Sequence, residues 1–172
     1  LTVPQGVAVK GTSTRAVSIQ PTVGTQTNDA FLLNGETTVE DLTVTSFNYD
    51  VNANTGHAFR FASGCLVTNR SPLVRNVTVT TQGSVTSESD PYGFDTEDAG
   101  RGAYIDAAFC SIDTLEPAML FDSVTMVTPG VDAVTATNGA RVELINCATY
   151  FANCGLNVIN GALGFAGQGT KF

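Results

Sequence analysis

Tryptophan is absent from this chain of 172 residues, and positive charge is scarce: eight Lys and Arg stand against sixteen Asp and Glu, a formal net charge of −8. The basic residues form no cluster, which argues against nucleic-acid binding, since phosphate recognition needs concentrated positive charge. The same scarcity of positive charge argues against an anionic membrane surface as a partner. No apolar run approaches the roughly 18 residues that span a bilayer. No basic segment followed by an apolar one opens the given sequence. There is one His, His57. A lone His cannot build a His-rich metal site, and no G-x-S-x-G elbow accompanies it. It stands just before an apolar segment and reads as a loop residue with a solvated or capping role. No Gly-rich phosphate loop lies between a strand and a helix. The four Cys (Cys65, Cys110, Cys147 and Cys154) contain no C-x-x-C pair, so zinc-ribbon spacing is missing. They read as free, buried thiols. Cys147 and Cys154, seven residues apart, are the pair that adjacent repeats could bring together. No metal and no cofactor is expected.

Helix formers are sparse, whereas Thr, Val, Asn, Gly and Ala are abundant. Thr and Val favour pleated, half-buried positions, and Gly and Asn supply the left-handed backbone of tight turns. These residues are organised as a degenerate repeat. Its first half is a short apolar segment, usually running into Asn-Gly: Ala30 to Gly35, Ala58 to Gly64, Ala133 to Gly139 and Leu156 to Gly161. Its second half is an alternating strand with Asp or Asn near the centre: Val39 to Val44 around Asp41, Val74 to Val79 around Asn76, Leu120 to Val127 with Asp122, and Val142 to Ala148 with Asn146. Strand, Asn-Gly turn and strand recurring at some tens of residues is a solenoid pattern. Every rung is β, so the expected fold is all-β: a right-handed parallel β-helix of about six coils, one domain over 1–172. Asn34, Asn138 and Asn160 are expected at equivalent turns, with a structural role. Asp132 precedes Ala133 as Asp29 precedes Ala30, which reads as a repeated turn carboxylate. Cys147 occupies the place of Leu42 and Val77 and reads as a small core residue. Phe31, Leu33, Leu42, Val44, Phe59, Phe61, Val77, Val79, Val124, Val134, Leu144, Val158 and Ile159 are the expected core. Neither end shows a capping pattern, so a piece of a longer polypeptide is expected.

Residues 82–102 break the repeat. Glu88, Asp90, Asp95, Glu97 and Asp98 fall within eleven residues, with Tyr92 and Phe94 among them. Paired carboxylates at a set separation could cleave glycosides, and clustered carboxylates could hold Ca²⁺, although the spacing is not that of an EF-hand. The plainer reading is a solvated acidic loop that contacts a neighbouring chain. These seven residues are the candidate interface loop; no catalytic and no metal-binding residue is assigned.

The runs Thr25 to Gly35, Gly56 to Phe61, Arg70 to Val79, Asp98 to Ala103 and Thr149 to Asn153 together resemble the β-helical segments of large virion structural proteins of T4-like marine cyanophages and related tailed phages. The resemblance covers nearly the whole chain. It implies a structural component of the virion (a tail fibre, tailspike or baseplate-attached appendage) engaged in assembly or host attachment. It carries over no catalytic residue, and the chain is not expected to be an enzyme. Other virion proteins are the implied partners, with homotrimerisation and a host surface glycan as further expectations. A polysaccharide-degrading tailspike acting through the acidic loop is one alternative function, and a capsid decoration protein is another.

Overall fold

The computed structural model describes residues 1–22, 24–45, 47–81, 84–85, 94–95, 99–112 and 119–172, with backbone alone at 84–85 and 94–95. Thr- and Val-rich alternation produces strands throughout, and no α-helix occurs among the described residues. The first pass of the chain carries β1 (Thr2–Val3), β2 (Ala8–Lys10) and β3 (Ser18–Ile19). The second carries β4 (Phe31–Leu33) and β5 (Thr38–Thr45). The third carries β6 (His57–Phe61), β7 (Cys65–Val67) and β8 (Leu73–Thr80), followed by β9 (Ser84–Val85) and β10 (Phe94–Asp95). The fourth carries β11 (Arg101–Asp106), a 3-10 turn (Ala107–Phe109), β12 (Cys110–Ile112), β13 (Met119–Asp122) and β14 (Thr125–Val127). The fifth holds β15 (Asp132–Thr137), β16 (Arg141–Ile145) and β17 (Ala148–Tyr150); the sixth holds β18 (Cys154–Val158) and β19 (Leu163–Ala166).

Each pass adds one strand to a six-stranded sheet ordered β1-β4-β6-β11-β15-β18, with every neighbouring pair parallel. The return halves form a nine-stranded parallel sheet: β2 and β3 lie on β5, then come β8, β13 with β14, and β16 with β17, and β19 lies on β16. A third parallel pair, β7 with β12, closes the corner between them. Only β9 and β10 form an antiparallel strand pair among the described residues. The fold is all-β with parallel sheets, an order compatible with a β-solenoid.

One hydrophobic cluster holds side chains of both large sheets. Phe31, Phe59, Ala103, Val134 and Leu156 occupy one column. The Phe31 and Phe59 rings stack at 5.6 Å, and Phe59 meets Phe121 of the opposite sheet edge-on at 6.1 Å. Of the expected core, all but Val158 and Ile159 are buried. Those two are 38% and 44% exposed, because the pass that holds them has a neighbour on one side only among the described residues.

The central Asp or Asn of each return strand turns out to be a corner. Asp41, Asn76, Ser123 and Asn146 all have φ between 50° and 60°, the left-handed region that Asn and Asp tolerate best. The column binds along itself: Asn76 Nδ2 donates to Asp41 Oδ1 at 2.6 Å, and Asn146 Nδ2 to Ser123 Oγ at 3.2 Å. In the fourth pass the corner is Ser123 and not Asp122, whose carboxylate accepts from the Ser123 hydroxyl instead. Immediately after each corner, Leu42, Val77, Val124 and Cys147 turn inward, so Cys147 is the core residue its repeat position suggests.

The Asn-Gly turns divide into two kinds. Asn138-Gly139 and Asn160-Gly161 have positive φ at both residues, and each turn closes with an amide of Ala140 or Ala162 on the carbonyl of Thr137 or Ile159. In an isolated hairpin that conformation returns the strand antiparallel; here it carries the chain from one parallel sheet to the other. Asn34 falls one residue earlier in the register, since Leu33 aligns with Phe61 and not with a residue next to Asn138. Its own Nδ2 donates to the Val3 carbonyl. Gly35 is required for a different reason: a Cβ there would collide with the Leu66 carbonyl of the next pass.

Candidate functional site

Two places were marked by the sequence: the acidic segment and the residues that open each pass. Of the interface candidates, Glu88, Asp90, Tyr92, Glu97 and Asp98 lie outside the described residues. Phe94 and Asp95 form β10, opposite Val85 and Ser84. The segment departs after Thr81, whose amide is held by the Val127 carbonyl, and returns at Ala99, which bridges to Asn48. Gly100 packs against Phe47, and a Cβ there would strike that ring. Arg101 and Gly102, expected within the excursion, belong to β11.

The return point adjoins a polar and aromatic cluster on the outer face of the six-stranded sheet. Three-residue spacing builds it. The burial pattern of β11 and β15 places two inward residues between outward ones, so His57 and Arg60, Arg101 and Tyr104, and Asp132 and Thr135 share the outer face. Thr135 Oγ1 accordingly donates to Asp132 Oδ2 at 3.3 Å, and Asn157 Nδ2 of the next pass donates to the same oxygen at 2.9 Å.

Asp29 anchors the other end. Register aligns it with His57 and, further along, with Asp132, so the equivalence of the two Asp holds in space. Asp29 Oδ1 accepts from the Gly56 amide, the His57 amide and His57 Nδ1, each at 3.0 Å. Its Oδ2 lies 3.5 Å from Arg60 Nη1, which also donates to the Asn54 carbonyl at 2.6 Å. The Arg60 guanidinium covers the Phe109 ring at 4.6 Å and the Tyr104 ring at 5.4 Å. Arg101 covers Tyr49 at 4.2 Å, and Tyr49 donates to Asn54 Oδ1. Loop 48–56 is thereby folded down over the sheet.

His57 is therefore not the solvated loop residue that its polar neighbours suggest. It opens β6, is 3% exposed and contacts the Tyr49 and Tyr104 rings. Burial pushes its imidazole below the ordinary histidine range, and the bond to Asp29 offsets this only in part. Burial pushes the Asp29 carboxyl up, but its bonds to His57 and the Arg60 charge outweigh that and hold it below its usual value. The pair is an ionised Asp and a neutral His whose Nδ1–H donates to it. Such a pair orients an imidazole. Here the Asp29 carboxylate is tied to the Gly56 and His57 amides and the His57 ring packs against Tyr49 and Tyr104, so the arrangement fastens loop 48–56.

The nine-stranded sheet carries a different outer motif. Lys10, Glu40, Arg75 and Asp122 are register partners on four successive passes. Lys10 Nζ lies 3.0 Å from Glu40 Oε1, and Arg75 Nη2 bonds Glu40 Oε2. The Lys10 and Arg75 partners hold the Glu40 carboxyl below its ordinary range. Neither ladder was read from the sequence, because the partners lie some 27 to 35 residues apart. The alternation of charge sign at Lys10, Glu40, Arg75 and Asp122, once the repeats are aligned, is the signal that could have found the second.

No group of three or more His, Cys, Asp or Glu among the described residues is placed to hold a metal ion. No family model matches the chain, and neither a curated protein nor a solved structure matches it.

Proposed function

We propose that the chain is a right-handed parallel β-helix of about six coils. We propose further that it serves as a structural segment of a tailed-phage virion, in a tail fibre, tailspike or baseplate-attached appendage. The observation that supports the rod is continuous register: every pass pairs in parallel with the one before it in both large sheets. Parallel crossover connections are right-handed in nearly all proteins. A rod of this kind transmits load and displays loops, and loops carry function in such scaffolds. The phage assignment rests on the residue runs that resemble virion β-helices.

The role read here is assembly or host contact. The contact surface is the 82–102 segment, whose carboxylates favour a basic partner and whose Tyr92 and Phe94 offer contact area to a protein or a sugar face. Other virion chains are its first partners, and homotrimerisation would cover outer sheet faces. The polar cluster supports a structural reading over an enzymatic one, because Asp29 already accepts bonds from Gly56, His57 and Arg60.

Antibody raised against the chain, applied to purified tailed-phage particles and imaged by electron microscopy, tests this reading. Label on the tail or baseplate is expected. Label on the capsid would replace the appendage by a decoration protein, and particles that never carry the label would overturn the virion assignment.

A further inference from the structure

We infer that Cys65 and Cys110 form a peroxide-oxidisable dithiol, the site of a disulfide that closes between the third and fourth passes. Cys65 opens β7, Cys110 opens β12, and the two are direct partners in that parallel pair. Parallel neighbours stand about 4.8 Å apart, inside the window of roughly 4.4–6.8 Å between Cα atoms that a disulfide spans. Both residues are buried, at 1% and 5% exposure, and belong to the same core cluster. Direct partners project their side chains to the same face. The remaining thiols are placed elsewhere. Cys147 Sγ points at the carbonyls of Phe121 and Ile145, and Cys154 is the register partner of Asp132.

One sulfur of the pair attacks and the other resolves. The attacking thiol gives up its proton, and its thiolate attacks one oxygen of hydrogen peroxide. The O–O bond breaks, and the departing hydroxide takes up the proton that the thiol released. The product is a sulfenic acid and one water. The second sulfur then attacks the first; the S–O bond breaks, and the hydroxyl leaves as a second water with the second thiol's proton. Two thiols and one peroxide become one disulfide and two waters, and two electrons pass from sulfur to oxygen.

The consequence lies in what the bond encloses. The loop closed between Cys65 and Cys110 contains the whole 82–102 segment. Oxidation therefore ties together the two passes from which that segment leaves and to which it returns.

The intact protein is treated with hydrogen peroxide, unfolded, alkylated and mapped by peptide mass spectrometry, alongside Cys65→Ser, Cys110→Ser and Cys147→Ser. In the wild type, two of the four free thiols are expected to disappear into one Cys65–Cys110 cross-link that dithiothreitol reverses. Cys147→Ser should form the same link, and Cys65→Ser and Cys110→Ser should each halt at a sulfenic acid on the remaining cysteine of the pair, which dimedone traps. The inference is overturned if all four wild-type thiols survive peroxide, or if the recovered link joins Cys147 or Cys154. The wild-type map decides the matter even where a serine variant does not fold.

Discussion

Phe59 is the residue on which both large sheets converge, and removing its ring is the most direct test of the shared core. It is fully buried, stacked on Phe31 with 14° between the ring planes and edge-on to Phe121. Truncating a buried Phe to Ala costs about 3–5 kcal/mol through lost transfer energy and the cavity left behind. The two ring pairs contribute about 0.5–1.5 kcal/mol each beyond area. These contributions overlap, so Phe59→Ala is expected to lose about 4–5 kcal/mol. Native domains hold only about 5–15 kcal/mol in total, so the variant stands close to unfolding at room temperature. For a chain of this size the loss corresponds to a Tm lower by roughly 8–20 °C. Urea unfolding followed by far-ultraviolet circular dichroism is the assay, since the chain has no Trp to report by fluorescence. Phe59→Leu, which keeps most of the volume, should lose less than about 1.5 kcal/mol. If Phe59→Ala also loses less than that, the ring does not join the two sheets and the reasoning fails.

Phe61→Ala should cost about 3–5 kcal/mol on the same argument, read from the same unfolding curves. Asn76→Ala should lose about 1–2 kcal/mol, because Ala resists the left-handed corner, while Asn76→Gly should retain most of the stability; equal losses would show that the corner conformation is not what matters. Glu40, held below its ordinary pKa, contributes stability that is present above the unfolded value of about 4.3 and is lost as pH falls through the lower folded one. Tm against pH for Glu40→Gln should accordingly lie under the wild-type curve at neutral pH and merge with it in acid, and high salt should narrow the gap. The single imidazole should titrate by NMR with a midpoint below the ordinary value of about 6.5. Folding then keeps its full His57 contribution above that value and loses it as the solution is acidified; a midpoint above it would contradict the buried pairing with Asp29.

Much of this architecture is legible in the residues because its causes are local. Alternation of Val, Phe and Leu with Thr and charged residues determines which side chains face inward, whatever lies across the sheet. It therefore identified Phe31, Leu42, Val77 and Leu144 as core. Repeat alignment likewise gave Cys147 its inward place beside Leu42 and Val77, and made Asp29 the counterpart of Asp132. Tight-turn chemistry is equally local, and Asn138-Gly139 and Asn160-Gly161 adopt the positive φ their side chains permit.

Register between passes is another matter, because it depends on how much chain each pass consumes. Asp41 and Asn76 are 35 residues apart, whereas Ser123 and Asn146 are 23 apart, yet both pairs bond as neighbours in one column. Only the folded arrangement absorbs that difference in loops. It alone set Asn34 one step off the other Asn-Gly turns, placed the fourth corner at Ser123 and put Arg75 on Glu40. Likewise it buried His57 beneath loop 48–56, and it brought Cys65 onto Cys110 in place of the sequence-near pair Cys147 and Cys154. Side-chain period is a property of a single strand, but the identity of a cross-strand partner is a property of loop lengths and of the core that both sheets must share.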